Sequence, residues 1–489
     1  MRNILPVFEL GRVATQRRTV WADIAWLMLG AALLRLLVFS VTNNESGDPD
    51  ARALWGALTY ESPSPIYSGV WLPLHPYAIS ILMIPFRDPI VAGKILSLVA
   101  GIAAMIPFYF LTSLYFDRRT TVAAGTMFAV YGNHVGLSAV VMSETCFVLL
   151  SLWAILCFAR EMLSSLPRLR PFLLSALLLA IAGGFRQEAW QLTGILMLWM
   201  VNDTRTRRFV IPYALIGFSS YIYWTIGNMA AGHGPLYGLL GVAAAKEVER
   251  ELIQFSSTKN VVKWVWILVQ SPGPLISLLG ALGVFLAFSR KRCAWPLATI
   301  ALLMLAPYWL LSVVKPEWAP QHRYVVLPVI LLLPFAAAAF SGQFRRLPTF
   351  VPALVALIVI SIGTQALAYG RHSKLYMPVK DYRASDIRLW EWLAANLTSG
   401  DRMVIEDYDW RLPSIVLRSG AFRLPYEEIY ERDPSQDMKK AIERIDATLV
   451  VVHSPLSKWP FIQNADHEIL FRTDDYSVLR LQPTGSPAK

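Results

Sequence analysis

Long apolar runs separated by short charged segments dominate the sequence. A helix needs about 20 apolar residues to cross roughly 30 Å of hydrocarbon, because lipid offers no partner to unpaired backbone groups. Eleven membrane spans are predicted, near residues 21–41, 90–116, 120–135, 137–159, 172–185, 189–201, 209–230, 261–289, 294–314, 324–340 and 349–368. The third, fifth and sixth runs are short, which favours tilted or locally broken helices whose ends lie inside the protein.

Basic residues follow every second predicted crossing, and short cytoplasmic loops are the ones that accumulate Lys and Arg. The arginine-rich segments lie at residues 17–18, 118–119, 168–170, 205–208, 290–292 and 345–346. This pattern predicts a cytoplasmic N-terminus in a plasma membrane, such as the inner membrane of a bacterium. It places outside the loops at 42–89, 231–260 and 315–323, together with the C-terminal tail. The first run is longer than the apolar part of a signal peptide and lacks a small-residue cleavage site, so it is predicted to be a retained anchor.

The composition after residue 368 changes to that of a water-soluble segment. Ser385 can cap a helix that reaches Asn396, and apolar strands are predicted at 403–406 and 449–453. No GxGxxG or GxxxxGK(S/T) motif occurs, so a Rossmann-like outline here would not imply nucleotide binding. The predicted fold class is an α-helical polytopic membrane protein, with a transmembrane domain at 1–370 and a small extracytoplasmic α/β domain at 371–489.

The composition agrees with this class. The 489 residues are 55% hydrophobic and only 16% charged, far from the balance of a soluble globular protein. The formal net charge of +11 is explained first by the Lys and Arg residues of cytoplasmic loops, and only secondarily by anion binding. It gives no reason to expect a nucleic-acid partner. The cysteines Cys146, Cys157 and Cys293 lie in or beside apolar runs, which argues against a disulfide framework or a CxxC metal site.

Several candidate catalytic residues follow the first span, in the stretch ESGDPDARALW at residues 45–55. Asp48 can be the N-cap of a helix whose first position is Pro49, and Trp55 can rest that helix on the membrane interface. A carboxylate held at the lipid surface can equally serve as a general base that takes a proton from an acceptor hydroxyl or amine. The residues alone leave both interpretations open.

Five segments in this order resemble the C-type (GT-C) membrane glycosyltransferases. The acidic stretch after the first span resembles their catalytic loop, and WLPLHPY at 71–77 resembles the Pro-rich segment before their second span. SETCF at 143–147 and HRYVVLP at 322–328 resemble the starts of later helices, and GFRQE at 184–188 resembles a turn with the pattern R-x-E. The resemblance covers most of residues 20–370. It is closest to the family that contains the protein mannosyltransferases and the lipid A aminoarabinose transferase, and the tail resembles the extracytoplasmic domain of many members.

The resemblance implies transfer of a sugar from a polyprenyl-phosphate donor to an extracytoplasmic glycan, lipid or protein, with inversion at the anomeric carbon. It also implies an acidic base in the first external loop. The Asp-Glu pair of the family appears here as Asp48-Pro49-Asp50, so the match is ambiguous. Asp48 is the preferred base. Asp50 is the second candidate, which would instead orient a substrate or bind a cation, and Glu45 ranks third.

A polyprenyl-phosphate leaving group is best stabilised by fixed cations in a poorly hydrated cavity. Substrate or phosphate contacts are therefore expected among Arg186, Arg323, His322, Lys315, His75, Glu144 and Glu188. Each has a simpler explanation. Lys315 and His322 can be hydrated loop residues, and His75 can be a packing residue. Arg186 and Arg323 can pair with carboxylates, Glu188 being one candidate partner of Arg186. Glu144 can bond within the bundle or lie beside His134.

Three further hypotheses remain. Asp48, Asp50 and His75 could together hold a divalent metal, although three scattered ligands are a sparse set. A transporter or flippase for a lipid-linked saccharide would also contain many spans and buried cations, but it would show broken helices near the midplane in paired halves. A ligase that uses a diphosphate donor would carry a larger external loop with several arginines, whereas the loop at 231–260 has only Lys246, Arg250 and Lys259 as basic residues.

Overall fold

A computed structural model describes the chain over residues 13–42, 46–64, 71–235, 237, 257–289, 294–314, 321–343, 347–376, 379–380, 382–407, 411–430, 438–453 and 467–481. Most of these residues are helical. The helices before the C-terminal sheet are α1 (Val13–Val41), α2 (Asp48–Glu61), α3 (Leu74–Phe86), α4 (Pro89–Ala103), α5 (Met105–Ser113), α6 (Arg118–Ala129), α7 (Gly132–Leu137), α8 (Glu144–Leu163), α9 (Leu169–Gly183), α10 (Glu188–Asn202), α11 (Val210–Gly217), α12 (Ser219–Ala230), α13 (Ser257–Gln270), α14 (Pro274–Ser289), α15 (Trp295–Val314), α16 (Val326–Gln343) and α17 (Leu347–Tyr376). A short 3-10 turn, His322–Val325, leads directly into α16.

Seven helical stretches of the described residues are long and apolar enough to cross a membrane: Thr19–Val41, Pro89–Ser113, Glu144–Leu163, Arg207–Ala230, Trp295–Val314, His322–Gln343 and Thr349–Leu367. An eighth span is broken, because Asn260–Gln270 and Pro274–Ser289 meet at 97°. Two shorter apolar helices, Leu74–Phe86 and Leu169–Gly183, accompany them. The chain is an integral membrane protein, as the apolar runs predict. Seven or eight stretches of the described residues are long enough to cross, rather than eleven, because the three short runs form helices of 12, 15 and 15 residues.

The three runs predicted to be short correspond to short helices. They are α6 with 12 residues and α9 and α10 with 15 residues each. The predicted run at 261–289 is bent, at a break where Gly273 has φ 95°. The apolar helix α3 was not among the predicted runs. Run length reports how much hydrocarbon a segment can cross, but it does not reveal where the chain turns.

Side chains of α17 form hydrogen bonds with backbone groups at the break between α13 and α14. The carbonyl oxygen of Pro272 accepts a hydrogen bond from Ser361 Oγ at 2.8 Å. Gln365 Oε1 accepts a hydrogen bond from the backbone N–H of Gly132 at 2.7 Å, where α6 gives way to α7. Freed backbone groups at membrane depth persist only where the protein itself satisfies them or where they line a wet cavity. One glutamine on α17 thus supports a second helix break next to the first.

Two short strands, β1 (Ser46–Gly47) and β2 (Val379–Lys380), form a separate ladder. The C-terminal region contains a five-stranded mixed sheet, in the spatial order β4 (Tyr426–Tyr430), β3 (Met403–Asp407), β5 (Leu449–Val452), β7 (Ser477–Leu481) and β6 (His467–Arg472). The helices of this region are α18 (Ala384–Asn396), α19 (Leu412–Ser419) and α20 (Met438–Ile445). β3 is parallel to both β4 and β5, and β7 is antiparallel to β5 and β6. The predicted α/β character of this region is confirmed. α17 continues through residue 370 to Tyr376, and the domain division there stays a prediction.

Alternating residues of β3 face two different layers of helices. Met403 and Ile405 belong to the apolar core that includes α18 and α19, whereas Val404 belongs to the core that includes α20. The first core also contains residues of α2, α3 and α4. Because a strand presents alternate side chains to opposite faces, one sheet holds both layers. The C-terminal region therefore packs directly against the helix that follows the first span.

Helices α14 and α16 approach each other closely at a glycine, and this contact gives a testable prediction. A Cβ at Gly283 would lie 2.1 Å from the carbonyl oxygen of Phe335, whereas a Cβ at Gly280 would lie 3.9 Å from Ala336 Cβ. Small residues let membrane helices pack backbone against backbone. We expect Gly283→Ala to destabilise the protein by about 1–3 kcal/mol through overpacking. Gly280→Ala is expected to be neutral or slightly stabilising, since Ala favours a helix more than Gly. Thermal unfolding of both variants in detergent tests this contrast, and equal melting temperatures would contradict it.

Candidate active site

Helix α2 begins immediately after an unusual backbone turn. Gly47 has φ 107° and ψ −143°, a conformation that is essentially restricted to glycine. The two residues Ser46–Gly47 form strand β1, which pairs antiparallel with strand β2 (Val379–Lys380). Gly47 is the N-cap, so the prediction that Asp48 caps this helix is wrong by one position. Asp48 is instead the first helical residue, and no side chain caps the helix.

Asp48 forms an ion pair with Arg323 across 275 positions of sequence. Asp48 Oδ2 accepts a hydrogen bond from Arg323 Nη1, and Arg323 Nε donates to Gln321 Oε1 at 2.7 Å. The two side chains retain exposed fractions of 24% and 16%, so the pair is partly accessible. Arg323 lies in the 3-10 turn before α16, and this turn brings the guanidinium to the start of α2. A small molecule that reaches the pair can therefore compete for either partner.

Arg52 belongs to the same site, although the sequence analysis did not single it out. It lies one helical turn after Asp48, and its guanidinium stacks over the ring of Trp71, 4.5 Å from the ring centroid. It is close enough to Asp48 and Glu144 to interact with both charges. The signal that could have found it is the i, i+4 spacing, which puts Asp48 and Arg52 on one face of a helix.

Arg186 is buried between two carboxylates. Its Nη1 donates to Glu144 Oε1, and its Nε and Nη2 donate to Glu188 Oε1 at 2.9 and 2.5 Å. Glu144 begins α8 and Glu188 begins α10, and helix N-termini favour negative charge. The structure thus places Glu188 as a partner of Arg186, and Glu144 as the second. His134 instead accepts a hydrogen bond from Arg35 at its Nδ1, 2.9 Å away.

These side chains form one charged cluster, which consists of Asp48, Arg52, Glu144, Arg186, Glu188 and Arg323. Burial by itself would raise the pKa of Asp48, but Arg323, Arg52 and Arg186 together hold that pKa below its usual value. A carboxyl group with a lowered pKa remains ionised down to a more acidic pH than usual. Asp48 is therefore a carboxylate at neutral pH, and it can accept a proton.

The charged cluster lies at one end of the helical bundle. α1 ends at Val41 shortly before Asp48, α8 starts at Glu144 and the span containing Arg323 starts at His322. Three arginines face three carboxylates there, so the cluster is neutral as a whole but can rearrange its pairs. Such a site can bind an anion by exchanging one carboxylate for it, and it can at the same time offer that carboxylate as a base.

The remaining candidates lie around or outside this cluster. His75 is buried and packs edge-to-face against Phe185, with 6.2 Å between the ring centroids. His322 is buried as well, so the interpretation of it as a hydrated loop residue is wrong. Its backbone oxygen accepts a hydrogen bond from Asn133 at 2.7 Å, which holds the turn that carries Arg323. Glu45 and Lys315 lie outside the described residues.

Asp50 faces away from the charged cluster. It is fully buried, with an exposed fraction of 0%, and its Oδ2 accepts a hydrogen bond from the hydroxyl of Tyr382 at 2.6 Å. Arg418 lies 3.7 Å from its Oδ1. The structure therefore separates the two acids of the Asp-Pro-Asp sequence: Asp48 meets the cations of the membrane helices, and Asp50 meets the C-terminal region.

A divalent metal does not fit the ligands considered from the sequence. Asp48 pairs with a guanidinium, and Asp50 is occupied by a tyrosine hydroxyl and an arginine. Within the described ranges, no group of three or more His, Cys, Asp and Glu side chains is arranged to hold a metal ion. A hard cation would have to displace existing positive charges from both carboxylates, so we assign no metal to this site.

Comparison with known proteins shows similarity in structure but not in sequence. No protein-family model matches the chain, and no curated protein matches it significantly. ArnT from Cupriavidus metallidurans is similar with a TM-score of 0.64 and 11% identity, over 94% of this chain and 98% of that one, and it has also been solved bound to undecaprenyl phosphate.

Two other solved glycosyltransferases are also similar. An Archaeoglobus fulgidus oligosaccharyltransferase has a TM-score of 0.57 and 13% identity, with coverage of 88% of this chain and 67% of the other. A complex of archaeal AglB from that organism contains an inhibitory peptide and a dolichol-phosphate. The mycobacterial arabinofuranosyltransferase AftD has a TM-score of 0.54 and 14% identity, and this chain covers 93% of its own length but 41% of that protein. All three neighbours have the GT-C fold that the motifs predict.

Proposed function

We propose that this chain, which has the GT-C fold, is a membrane glycosyltransferase that moves a sugar from a polyprenyl-phosphate carrier to a hydroxyl or amine acceptor. The observation that carries the proposal is the partly accessible Asp48 carboxylate, which is held ionised among three arginines. The solved neighbours support the donor class, since ArnT was solved with undecaprenyl phosphate and AglB with dolichol-phosphate. The placement of basic loops supports an extracytoplasmic site with the N-terminus inside.

The transfer step is a single displacement. Asp48 takes the proton of the acceptor O–H or N–H, and the acceptor atom forms a new bond to the anomeric carbon. The bond from that carbon to the phosphate oxygen breaks on the opposite face, so the configuration inverts and the electron pair leaves with the polyprenyl phosphate. The guanidinium groups of Arg323, Arg52 and Arg186 stabilise the negative charge that develops on the leaving phosphate.

The Asp48–Arg323 pair also sets an order of events in this proposal. In the free protein Arg323 donates a hydrogen bond to the same carboxylate that must act as the base. A donor phosphate competes for Arg323, and its arrival releases Asp48 to accept the proton of the acceptor. Arg186 is already bonded to Glu144 and Glu188, so it adds positive charge from a fixed position. Base activation is thereby linked to donor binding.

The test of this function is a comparison of cells with and without the gene, using mass spectrometry of membrane glycolipids and envelope glycans. We expect one envelope component to lack a single hexose, pentose or amino sugar, and the corresponding polyprenyl-phosphate sugar to accumulate. The wild-type gene on a plasmid should restore both. A flippase leaves the glycosyl–phosphate bond intact. If the purified protein in liposomes moved a polyprenyl-phosphate sugar between leaflets without cleaving it, the glycosyltransferase assignment would fail.

A further inference from the structure

The C-terminal region contacts the start of α2 at two points, one on each side of Asp48. On the N-terminal side, Ser46 and Gly47 pair with Lys380 and Val379 in the two-stranded ladder of β1 and β2. On the C-terminal side, Asp50 bonds to Tyr382. The candidate base therefore lies between two attachments to one segment of chain, which is more than 330 positions away in sequence. Neither attachment involves a group of the charged cluster.

The second attachment is a closed network of three side chains. The hydroxyl of Tyr382 donates to Asp50 and accepts a hydrogen bond from Arg418 Nη2 at 3.0 Å. Burial, and then the neighbouring Asp50 charge, raise the pKa of Tyr382, so this hydroxyl stays protonated and available as a donor. The ring of Tyr382 is itself packed edge-to-face against Trp390. A fully buried carboxylate is costly unless it is paired and hydrogen-bonded, and this network supplies both requirements.

Apolar packing holds the same two parts together. Ala53, Leu54 and Ala57 of α2 share a buried core with Leu412 and Ile415 of α19, the helix that also carries Arg418. Because that core continues into β3 and β5, α2 is in effect a layer of the C-terminal region as well as a neighbour of the membrane helices. The position of α2 along its own axis is consequently fixed by contacts with α19 and with Tyr382.

We propose that Asp50, Tyr382 and Arg418 form a clamp through which the C-terminal region positions Asp48 for catalysis. Asp50 is then a positioning residue and not a second base. This inference rests on the proposed function, because it concerns the same base. The burial of Asp50 and its two cross-region partners leave no face of its carboxylate for a substrate, whereas Asp48, two positions earlier in the chain, remains partly accessible.

Tyr382→Phe tests the clamp with the smallest possible change, the loss of one hydroxyl. A displacement of about 1 Å at a catalytic group can cost on the order of 10²-fold in rate, so we expect kcat to fall by about 10- to 100-fold. The KM for the donor should stay within about twofold, because the groups that hold the phosphate are untouched. In an Asp48→Asn background, Tyr382→Phe should have no further effect on the residual rate, since the clamp acts through Asp48.

The chain offers a matched control. Tyr476 donates to the buried Asp386 at 2.7 Å, and Arg411 pairs with the same carboxylate, so this trio repeats the chemistry of the clamp within the C-terminal region. Tyr476→Phe should lose comparable stability in thermal unfolding but keep the wild-type kcat. Asp50→Asn provides a second variant, because its amide oxygen can still accept from Tyr382; we expect it to retain more activity than Asp48→Asn.

The outcomes separate the clamp from the proposed function. If Tyr382→Phe lost no more kcat than Tyr476→Phe, or lost as much again in the Asp48→Asn background, the clamp would be refuted while the glycosyltransferase assignment stood. Complete inactivity of Asp50→Asn together with a fully active Tyr382→Phe would also refute it, because Asp50 would then act chemically. An absence of sugar transfer by the folded wild-type protein would instead refute the proposed function.

Discussion

Asp48→Asn is expected to lower the rate of sugar transfer by about 10²- to 10⁴-fold, the usual contribution of a positioned general base. Asparagine keeps the shape of the side chain but cannot accept the proton of the acceptor. Its neutral oxygen also competes less strongly for Arg323, so the affinity for the polyprenyl-phosphate donor should stay the same or increase. Single-turnover transfer rates and a separate donor-binding measurement distinguish the two effects.

Glu61→Gln provides the control for this substitution. Glu61 ends the same helix, is exposed, and lies 3.6 Å from Arg423, so its neutralisation removes one carboxylate from α2 without entering the charged cluster. Its transfer rate should match that of the wild type. A correctly folded Asp48→Asn protein that transfers sugar at the wild-type rate would show that another group takes the proton.

Arg186→Leu is expected to destabilise the folded protein by about 3–5 kcal/mol, because it leaves two buried carboxylates without their shared cation. Glu144 and Glu188 have exposed fractions of 1% and 4%, so water cannot replace the guanidinium. The melting temperature in detergent is the measurement. Neutralising both acids in the triple variant Arg186→Leu/Glu144→Gln/Glu188→Gln should restore most of the loss, since uncharged amides tolerate burial better than carboxylates.

Arg205→Leu is the matched comparison for that loss. Arg205 also pairs with a carboxylate, Asp203, at 2.7 Å, but its side chain is exposed and the pair is solvated. Surface ion pairs contribute about 0–1 kcal/mol, so this variant should melt close to the wild type. Equal destabilisation by Arg186→Leu and Arg205→Leu would contradict the expected cost of leaving two buried carboxylates without their cation.

Several features of the site could be anticipated from local sequence. The acidic stretch after the first span, the Pro at the start of α2 and the arginines that precede apolar helices are all visible as short patterns. Arg52 was overlooked although its spacing from Asp48 places it on the same helical face. The partners of these groups could not be predicted from local sequence. Asp48 meets Arg323 from 275 positions away, and Arg186 meets Glu144 from 42 positions away.

The roles of Asp48 and Asp50 show most directly what local sequence cannot predict. In sequence they are two carboxylates separated by one proline, and nothing local tells which one serves as a base. In the structure one joins the arginines of the membrane helices, and the other is buried against Tyr382 and Arg418. The distinction depends on which residues the fold brings to each side of α2.

The sequence by itself determined the membrane class, most of the spans and the α/β character of the C-terminal region. These features can be predicted because the length and periodicity of the apolar positions in a segment mainly decide whether it crosses lipid or forms a strand. Only the tertiary structure decided where helices break, which carboxylate meets which arginine, and that α2 lies between the membrane helices and the C-terminal region. Such pairings depend on long-range contacts, and a charge gains its partner, its burial and its pKa only after distant segments have packed together.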